Sequence, residues 1–176
     1  MKVKYFDLKN KRVFISGGGS GIGATIVEHF CEQNSEVYFI DINIKASKKL
    51  LKIIKKKKLR SPTFIECNIL DIKKLQNIIK DIINKKGPIH CLINSAANDE
   101  RHTTESVDEK YWENRMGINL KHYFFAAQEV VKGMKKIKSG SIVNLSSVSW
   151  MLGEGDKVVY ETAKSAVVGL TRSFAK

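Results

Sequence analysis

Two groups of residues in this sequence have side-chain types and a spacing that could do chemistry, and the first is a glycine cluster. Segment 16–23 reads Ser-Gly-Gly-Gly-Ser-Gly-Ile-Gly and lies between the apolar run 12–16 and segment 22–34, which has helical apolar spacing. Glycines let a backbone turn tightly and approach an anion, and the amides and dipole of a following helix hold negative charge. The flanking strand and helix patterns favour a pyrophosphate site over a merely flexible turn.

The second group is Tyr160 and Lys164, which lie one turn apart on one face of the predicted helix 158–176. A phenol ordinarily has a pKa of about 10, and an ammonium beside it favours the phenolate. Such a pair could exchange a proton with a substrate oxygen. The isolated pattern is common, so a surface pair without chemistry is the alternative.

Asp41 ends the second predicted strand, 18 residues after Gly23. At that spacing a carboxylate accepts hydrogen bonds from the adenosine ribose and repels a 2′-phosphate. The next two residues, Ile42 and Asn43, include no arginine. We therefore expect NAD and not NADP, the alternative being that Asp41 only starts a turn.

The elements that must position these residues alternate regularly along the chain. Short apolar runs predict strands at 12–16, 37–41, 63–66, 90–94 and 141–145. Amphipathic spacing predicts helices at 22–34, 46–59, 71–85, 106–134 and 158–176. Ser106 and Glu109 fit a capping box at the start of the fourth helix. This order predicts an α/β fold, a Rossmann-like doubly wound parallel sheet with helices on both faces.

We expect one domain over residues 1–176, because no linker or composition break interrupts the chain. The usual dinucleotide-binding sheet has six strands in the order 3-2-1-4-5-6. The sequence supplies five and ends inside a helix, so the expected order is 3-2-1-4-5. The domain is expected to be incomplete at its C-terminus and to lack the last strands and a lid.

The ordered motifs resemble the short-chain dehydrogenase/reductase family over residues 8–176. The family's glycine motif corresponds to Ser16–Gly23, and its Tyr-x-x-x-Lys corresponds to Tyr160–Lys164. Its active-site serine and asparagine fall on Ser147 and Asn119, and its Asn-Asn-Ala-Gly stretch falls on 94–97. The sequence departs from the family pattern at three positions. Ser16 replaces a threonine, Ser95 replaces an asparagine, and Asn68 replaces an acidic residue.

The resemblance implies a catalytic tetrad of Asn119, Ser147, Tyr160 and Lys164. Tyr160 would be the general acid and base, and Lys164 would bind the nicotinamide ribose and favour ionised Tyr160. Ser147 would polarise the reacting oxygen, and Asn119 would hold a relay water. The implied NAD contacts are Gly17, Gly19, Ser20, Gly21, Ile22, Gly23, Asp41, Asn68, Ile69, Asn94, Ala96, Tyr160 and Lys164.

The loops 98–102 and 147–153, with Tyr111, Trp112 and segment 119–122, are similar to those of bacterial aldose 1-dehydrogenases. This likeness implies a sugar or polyol substrate, aldose oxidation to an aldonolactone, and substrate contacts at Asn98, Ser149 and Trp150. The alternatives are a surface ion cluster of Asp99, Arg101 and His102 that only shapes the loop, and a packing role for Trp150.

Composition suggests few other partners. The net charge of +13 raises nucleic-acid binding as a weaker hypothesis, but the lysines occupy polar helix positions without interleaved aromatics. We expect no nucleic-acid or membrane partner, no metal, and a cytoplasmic protein with three free cysteines. The resemblance implies a homodimer or homotetramer through apolar outer positions at Phe124, Phe125, Val167 and Val168. The competing functional hypothesis is a catalytically silent NAD-binding fragment or module.

Overall fold

The computed structural model describes residues 3–176, in which five short apolar segments form one parallel sheet. The strands are β1 Arg12–Ser16, β2 Glu36–Asp41, β3 Thr63–Glu66, β4 Cys91–Asn94 and β5 Ser141–Asn144. Their order is β3-β2-β1-β4-β5, and every neighbouring pair is parallel. The predicted fold class and strand order are confirmed.

Within residues 3–176, seven α-helices connect and flank the strands. They are α1 Gly21–Glu32, α2 Ile44–Lys56, α3 Ile72–Lys86, α4 Glu109–Met116, α5 His122–Lys136, α6 Ser149–Leu152 and α7 Val158–Phe174. Successive side chains of a strand point to opposite faces, so β1 feeds two cores. Val13 and Ile15 pack with Val27 of α1 on one face, and Phe14 packs with Leu75 of α3 on the other.

The fourth predicted helix differs from the expectation at its start and in its middle. Ser106 lies in a 3-10 turn, Thr104–Ser106, and its hydroxyl donates to the carbonyl of Thr103 (2.9 Å). Asp108 caps the helix instead, because its carboxylate accepts from the amide of Tyr111 (2.7 Å). The predicted capping box is therefore wrong. A π-helical turn, Gly117–Lys121, then separates α4 from α5.

The segment after β5 contains a helical turn that the sequence pattern did not predict. Residues Ser149–Leu152 form α6, which ends at Gly153 in the left-handed region with φ of 66°. Glycine adopts that conformation without the strain that a Cβ would cause. The turn brings the chain back to the start of α7 beside the carboxyl end of β5.

The expected apolar outer positions on α5 and α7 are only partly confirmed. Phe124 and Val168 are 42% and 38% exposed. Val167 is buried, so its assignment to an outer position is wrong, and Phe125 is half-buried. The reason is helical geometry, since Val167 follows Ala163 by four residues and shares its inward face.

Candidate active site

A cleft of about 630 Å³ runs along the carboxyl ends of the strands. Parallel α/β sheets place ligands at this edge. The expected cofactor and substrate residues that line it are Gly17, Ser20, Gly21, Ile22, Gly23, Asp41, Asn68, Ile69, Ala96, Asn98, Tyr160 and Lys164. The fold therefore brings the glycine cluster, Asp41 and the tyrosine–lysine pair to one cavity from distant parts of the chain.

Two glycines of the cluster, Gly17 and Gly23, pack too tightly for larger residues. A Cβ on Gly17 would lie 2.6 Å from Cα of Ala96, and one on Gly23 would lie 2.0 Å from the carbonyl oxygen of Gly17. A Cβ on Gly21 would meet nothing within 4 Å. Helix α1 begins here, and the Ser20 side chain makes no capping bond to it. First-turn amides thus face a narrow cradle that could hold an anionic group such as a pyrophosphate.

Asp41 is held in place by backbone amides at the end of β2. Its two carboxylate oxygens accept from the amides of Gly19 and Asn43, both at 2.8 Å. A Cβ on Gly19 would lie 2.9 Å from this carboxylate, so Gly19 positions Asp41 and does not line the cleft. On the neighbouring loop, Oδ1 of Asn68 accepts from the amide of Leu70 (3.0 Å). This end of the cleft thus presents one fixed carboxylate.

The loop after β4 is anchored by two polar side chains that lie behind the cleft wall. The hydroxyl of Ser16 accepts from the amides of Ser95 (3.2 Å) and Ala96 (3.4 Å). Asn94 is buried and donates to Oδ1 of Asn144 on β5 (2.8 Å). Asn94 therefore lies outside the cleft lining and joins two strands beneath it.

Lys164 is buried in the cleft wall close to Tyr160. Its Nζ lies 5.6 Å from the centroid of the Tyr160 ring. The ammonium donates to the hydroxyl of Tyr123 and to the carbonyl of Leu145, both at 2.8 Å. Burial lowers the pKa of Lys164 from 10.5 to about 8. The contact with Tyr123 was not anticipated from the sequence.

The other two expected tetrad members do not line the cleft. Asn119 is buried in the π-helical turn and bonds to both backbone groups of Asn98, accepting from its amide (2.9 Å) and donating to its carbonyl (3.0 Å). The hydroxyl of Ser147 pairs with that of Ser149 (2.8 Å). Trp150 is half-buried on α6, also outside the cleft lining. The expected roles of these residues stay predictions.

Loop 98–102 is joined to the start of α7 by His102. Its Nδ1 lies 3.0 Å from the Tyr111 hydroxyl, and its Nε2 accepts from the amide of Val159 (3.4 Å). Arg101 forms an ion pair with Asp156. Of the residues considered for a surface ion cluster, Arg101 and His102 thus make structural contacts, whereas Asp99 lines the cleft.

His102→Ala is expected to destabilise the fold. The Val159 amide is one of the first-turn donors of α7 that no intrahelical carbonyl satisfies. Losing its acceptor should cost about 1 kcal/mol and lower Tm by about 3 °C, as measured by calorimetry. The matched control is His29→Ala, since His29 is an exposed histidine on α1 and should tolerate the change. Equal melting temperatures for the two variants would contradict this role of His102.

His122 is a buried, neutral histidine beneath the cleft. Its Nε2 lies 3.4 Å from the Ser16 hydroxyl, and its ring packs edge-on against Tyr123. Burial, and then the nearby ammonium of Lys164, lower the pKa of His122 from 6.5 to about 3. A folded-state pKa below the unfolded value means that the unfolded chain takes up the proton first as the pH falls.

The free energy of unfolding should therefore fall as the pH drops from about 6.5 towards about 3, by up to ~1.4 kcal/mol per pH unit from His122. Urea titrations at about pH 7.5 and about pH 5 should differ by roughly 2 kcal/mol on this account. His122→Gln should remove the contribution of His122 to the pH dependence of the free energy of unfolding. His29→Gln should leave that pH dependence unchanged. A His122→Gln protein with the wild-type pH dependence would contradict the assignment.

Within residues 3–176, none of the helices has the length and apolar character needed to cross a membrane. In the same range, no cluster of three or more histidine, cysteine, aspartate or glutamate side chains could hold a metal ion.

Known proteins match this chain along nearly its whole length. The family model for short chain dehydrogenase matches residues 11–176. A D-xylose 1-dehydrogenase of Caulobacter vibrioides is 39% identical over 172 residues, which are 98% of this chain and 67% of that protein. A probable galactose dehydrogenase of Rhizobium meliloti is 36% identical and covers 96% of this chain and 66% of its own length.

Solved structures agree with the sequence matches. The ligand-free aldohexose dehydrogenase of Thermoplasma acidophilum is 29% identical, with a TM-score of 0.85 over 97% of this chain and 62% of that one. This chain spans about two thirds of the length of the curated relatives that it matches. It belongs to the short-chain dehydrogenase family, whose members are oxidoreductases that bind a nicotinamide cofactor.

Proposed function

We propose that this protein is an NAD-dependent oxidoreductase that transfers hydride between a sugar or polyol hydroxyl and nicotinamide, oxidising an aldose to its aldonolactone. One observation carries the proposal. Tyr160 and Lys164 line the same cleft as the glycine cradle and Asp41. A proton-transfer pair beside a dinucleotide-sized groove is the arrangement that alcohol oxidation by a nicotinamide requires.

The dinucleotide would be held by three parts of the chain. The cradle at Gly17–Gly23 and the first-turn amides of α1 would bind the pyrophosphate. Asp41 would accept bonds from the adenosine ribose, and Asn68 and Ile69 would contact the adenine end. Lys164 would bind the nicotinamide ribose. When bound, the nicotinamide supplies the hydride acceptor.

The protein's part in the chemical step would be proton transfer. The adjacent Lys164 ammonium would stabilise Tyr160 as the phenolate, which would take the hydroxyl proton of the substrate during oxidation and become the neutral phenol. Ser147 would orient the reacting oxygen, with Ser149 holding its hydroxyl at 2.8 Å. Asn119 would fix the backbone of Asn98 at the cleft wall, and its predicted relay water is part of the same proposal.

A sugar is the favoured substrate class for two reasons. Two of the relatives are named for xylose and galactose, and one solved relative is named for aldohexoses. The cleft wall also offers the exposed polar side chains Asn98 and Asp99, which could bond sugar hydroxyls. Trp150 and Ser149 are proposed as further substrate contacts.

The direct test is turnover. The protein is mixed with NAD and a panel of aldoses that includes D-xylose, L-arabinose and D-galactose, and NADH and lactone are measured. We expect both products from at least one aldose. No turnover with any aldose, polyol or secondary alcohol would reject the oxidoreductase proposal.

A second candidate, a silent NAD-binding module, rests on the position of Ser147, Ser149 and Trp150. These residues lie outside the cleft lining, although most of the expected cofactor residues line it. Calorimetry separates the two candidates, because tight NAD binding without turnover is expected only of the silent module.

Asp41→Asn is expected to change the cofactor preference. The amide keeps an acceptor for the Gly19 amide but removes the charge that repels a 2′-phosphate. The ratio of NADP to NAD affinity should rise by about tenfold in calorimetric titrations. The matched control is Glu66→Gln, which removes a carboxylate paired with Asp41 in register but outside the cleft lining. An unchanged ratio in Asp41→Asn would contradict the assignment of NAD.

We also propose a cytoplasmic homodimer or homotetramer. The proposal rests on the three free cysteines and on the exposed apolar side chains Phe124 and Val168 of α5 and α7. Light scattering during size-exclusion chromatography should give at least twice the mass of one chain. A monomer at high protein concentration would contradict the oligomer.

A further inference from the structure

Tyr123 is a fully buried tyrosine whose hydroxyl lies between two polar atoms of the cleft wall. It accepts a hydrogen bond from Nζ of Lys164 (2.8 Å) and donates one to the carbonyl of Leu145 (3.1 Å). The ammonium donates to the same carbonyl (2.8 Å). The three groups therefore form a closed set of hydrogen bonds that leaves one ammonium donor for the cleft.

Nothing else near Lys164 could stabilise its charge as strongly. Within residues 3–176, no carboxylate lies within ion-pair distance of Nζ. The titratable groups that face it are Tyr160 on the same helix and Tyr123 and His122 on α5. His122 is neutral, so the charge depends on two oxygens and on the Tyr123 ring, whose centroid lies 5.0 Å from Nζ.

Tyr123 is itself fixed by its surroundings. It is the second residue of α5, directly after the π-helical turn. The His122 ring packs edge-on against it with centroids 4.4 Å apart. A buried aromatic ring with a bonded hydroxyl has little freedom, so its oxygen is a rigid anchor.

We propose that Tyr123 is a positioning residue that fixes the ammonium of Lys164 in the cleft wall and keeps it ionised. In the proposed reaction this anchor aims the remaining ammonium donor at the cleft, beside Tyr160. The proposal rests on the proposed function only where it concerns cofactor binding. The effect of Tyr123 on Lys164 is a property of the protein without cofactor.

Tyr123→Phe removes one oxygen and keeps the ring. A charge-assisted hydrogen bond is lost from a buried ammonium, so the titration midpoint of Lys164 should fall by about one pH unit. The midpoint is measured on the free protein by NMR of lysines labelled with carbon-13 at Cε. The Lys164 signal is the one that disappears in Lys164→Met.

The matched control is Tyr38→Phe. Tyr38 is also buried, and its hydroxyl donates to Glu36 (2.5 Å). Both residues lie on β2, which carries neither of the Lys164 hydrogen-bond partners. We expect no change in the Lys164 midpoint for this variant. A Lys164 midpoint in Tyr123→Phe equal to that of the wild type would overturn the proposal.

A second measurement leaves Tyr123 itself unsubstituted. Tyrosine labelled at Cζ reports on the hydroxyl environment, and Phe variants of the other four tyrosines assign the Tyr123 signal. We expect the chemical shift of Tyr123 Cζ to change with pH at the same midpoint as Lys164. Its failure to shift would overturn the proposal even if Tyr123→Phe did not fold.

Cofactor binding gives an independent arm. At a pH between the two lysine midpoints, NAD should bind Tyr123→Phe several-fold more weakly than the wild type, with equal affinities at lower pH. Equal affinities at both pH values would count against the positioning role. If the wild type bound no NAD, the proposed function would fail, and the lysine titration would still decide the role of Tyr123.

Discussion

Tyr160→Phe is expected to lower turnover by about a thousandfold, within the range that general acid–base groups contribute. The substitution removes only the hydroxyl, which is the group proposed to exchange the substrate proton. The ring stays in the cleft wall beside Lys164, and NAD affinity should change by less than about threefold. Steady-state kinetics gives the turnover, and calorimetry gives the affinity.

The control for this experiment is Tyr38→Phe, a tyrosine on β2 that lies outside the cleft lining. It should keep wild-type turnover. If Tyr160→Phe retained turnover within about tenfold of the wild type, another group would have to be the acid and base. If it lost NAD binding as well, Tyr160 would be a binding residue and not a proton-transfer residue.

Gly23→Ala is expected to disrupt the cofactor cradle. The new Cβ would lie 2.0 Å from the carbonyl oxygen of Gly17, which is backbone and cannot rotate away. Helix α1 would have to move from the loop, at a cost of about 1–3 kcal/mol in stability. Because the first-turn amides of α1 form the proposed pyrophosphate site, NAD affinity should fall by at least about tenfold.

The matched control is Gly169→Ala on α7, where an added Cβ would meet nothing within 4 Å. Alanine is favoured over glycine inside a helix by about 0.5–1 kcal/mol, so this variant should be at least as stable as the wild type. Thermal unfolding and calorimetric titration compare the two. Gly23→Ala with wild-type Tm and NAD affinity would refute the description of the cradle.

Local patterns predicted the sheet and the cradle because their causes are local. The apolar runs that form β1 to β5 are compact, and the glycines act on the turn in which they lie. The wrong prediction of a capping box at Ser106 also has a local cause. Asp108 and Ser106 both precede the helix, and periodicity does not decide which side chain reaches a first-turn amide.

The contacts around the cleft could not be predicted in this way, because they depend on how separate helices pack. Tyr123 and Lys164 lie on different helices and meet only in the folded protein. Gly19 and Asn94 belong to recognisable motifs, yet the fold uses one to position Asp41 and the other to join two strands. The available sequence signal for Tyr123 was its position one helical turn after Asn119. An ordinary core tyrosine could occupy the same position.

The most direct test of the account is to follow the hydride itself. The protein is incubated with NAD and D-xylose, L-arabinose or D-galactose deuterated at C1, and the NADH formed is examined by mass spectrometry. We expect deuterium in the NADH that the wild-type protein forms from at least one sugar. We expect this deuterium transfer to be lost in Tyr160→Phe. NAD that binds but gains no deuterium from any of these sugars would contradict the proposed sugar oxidation.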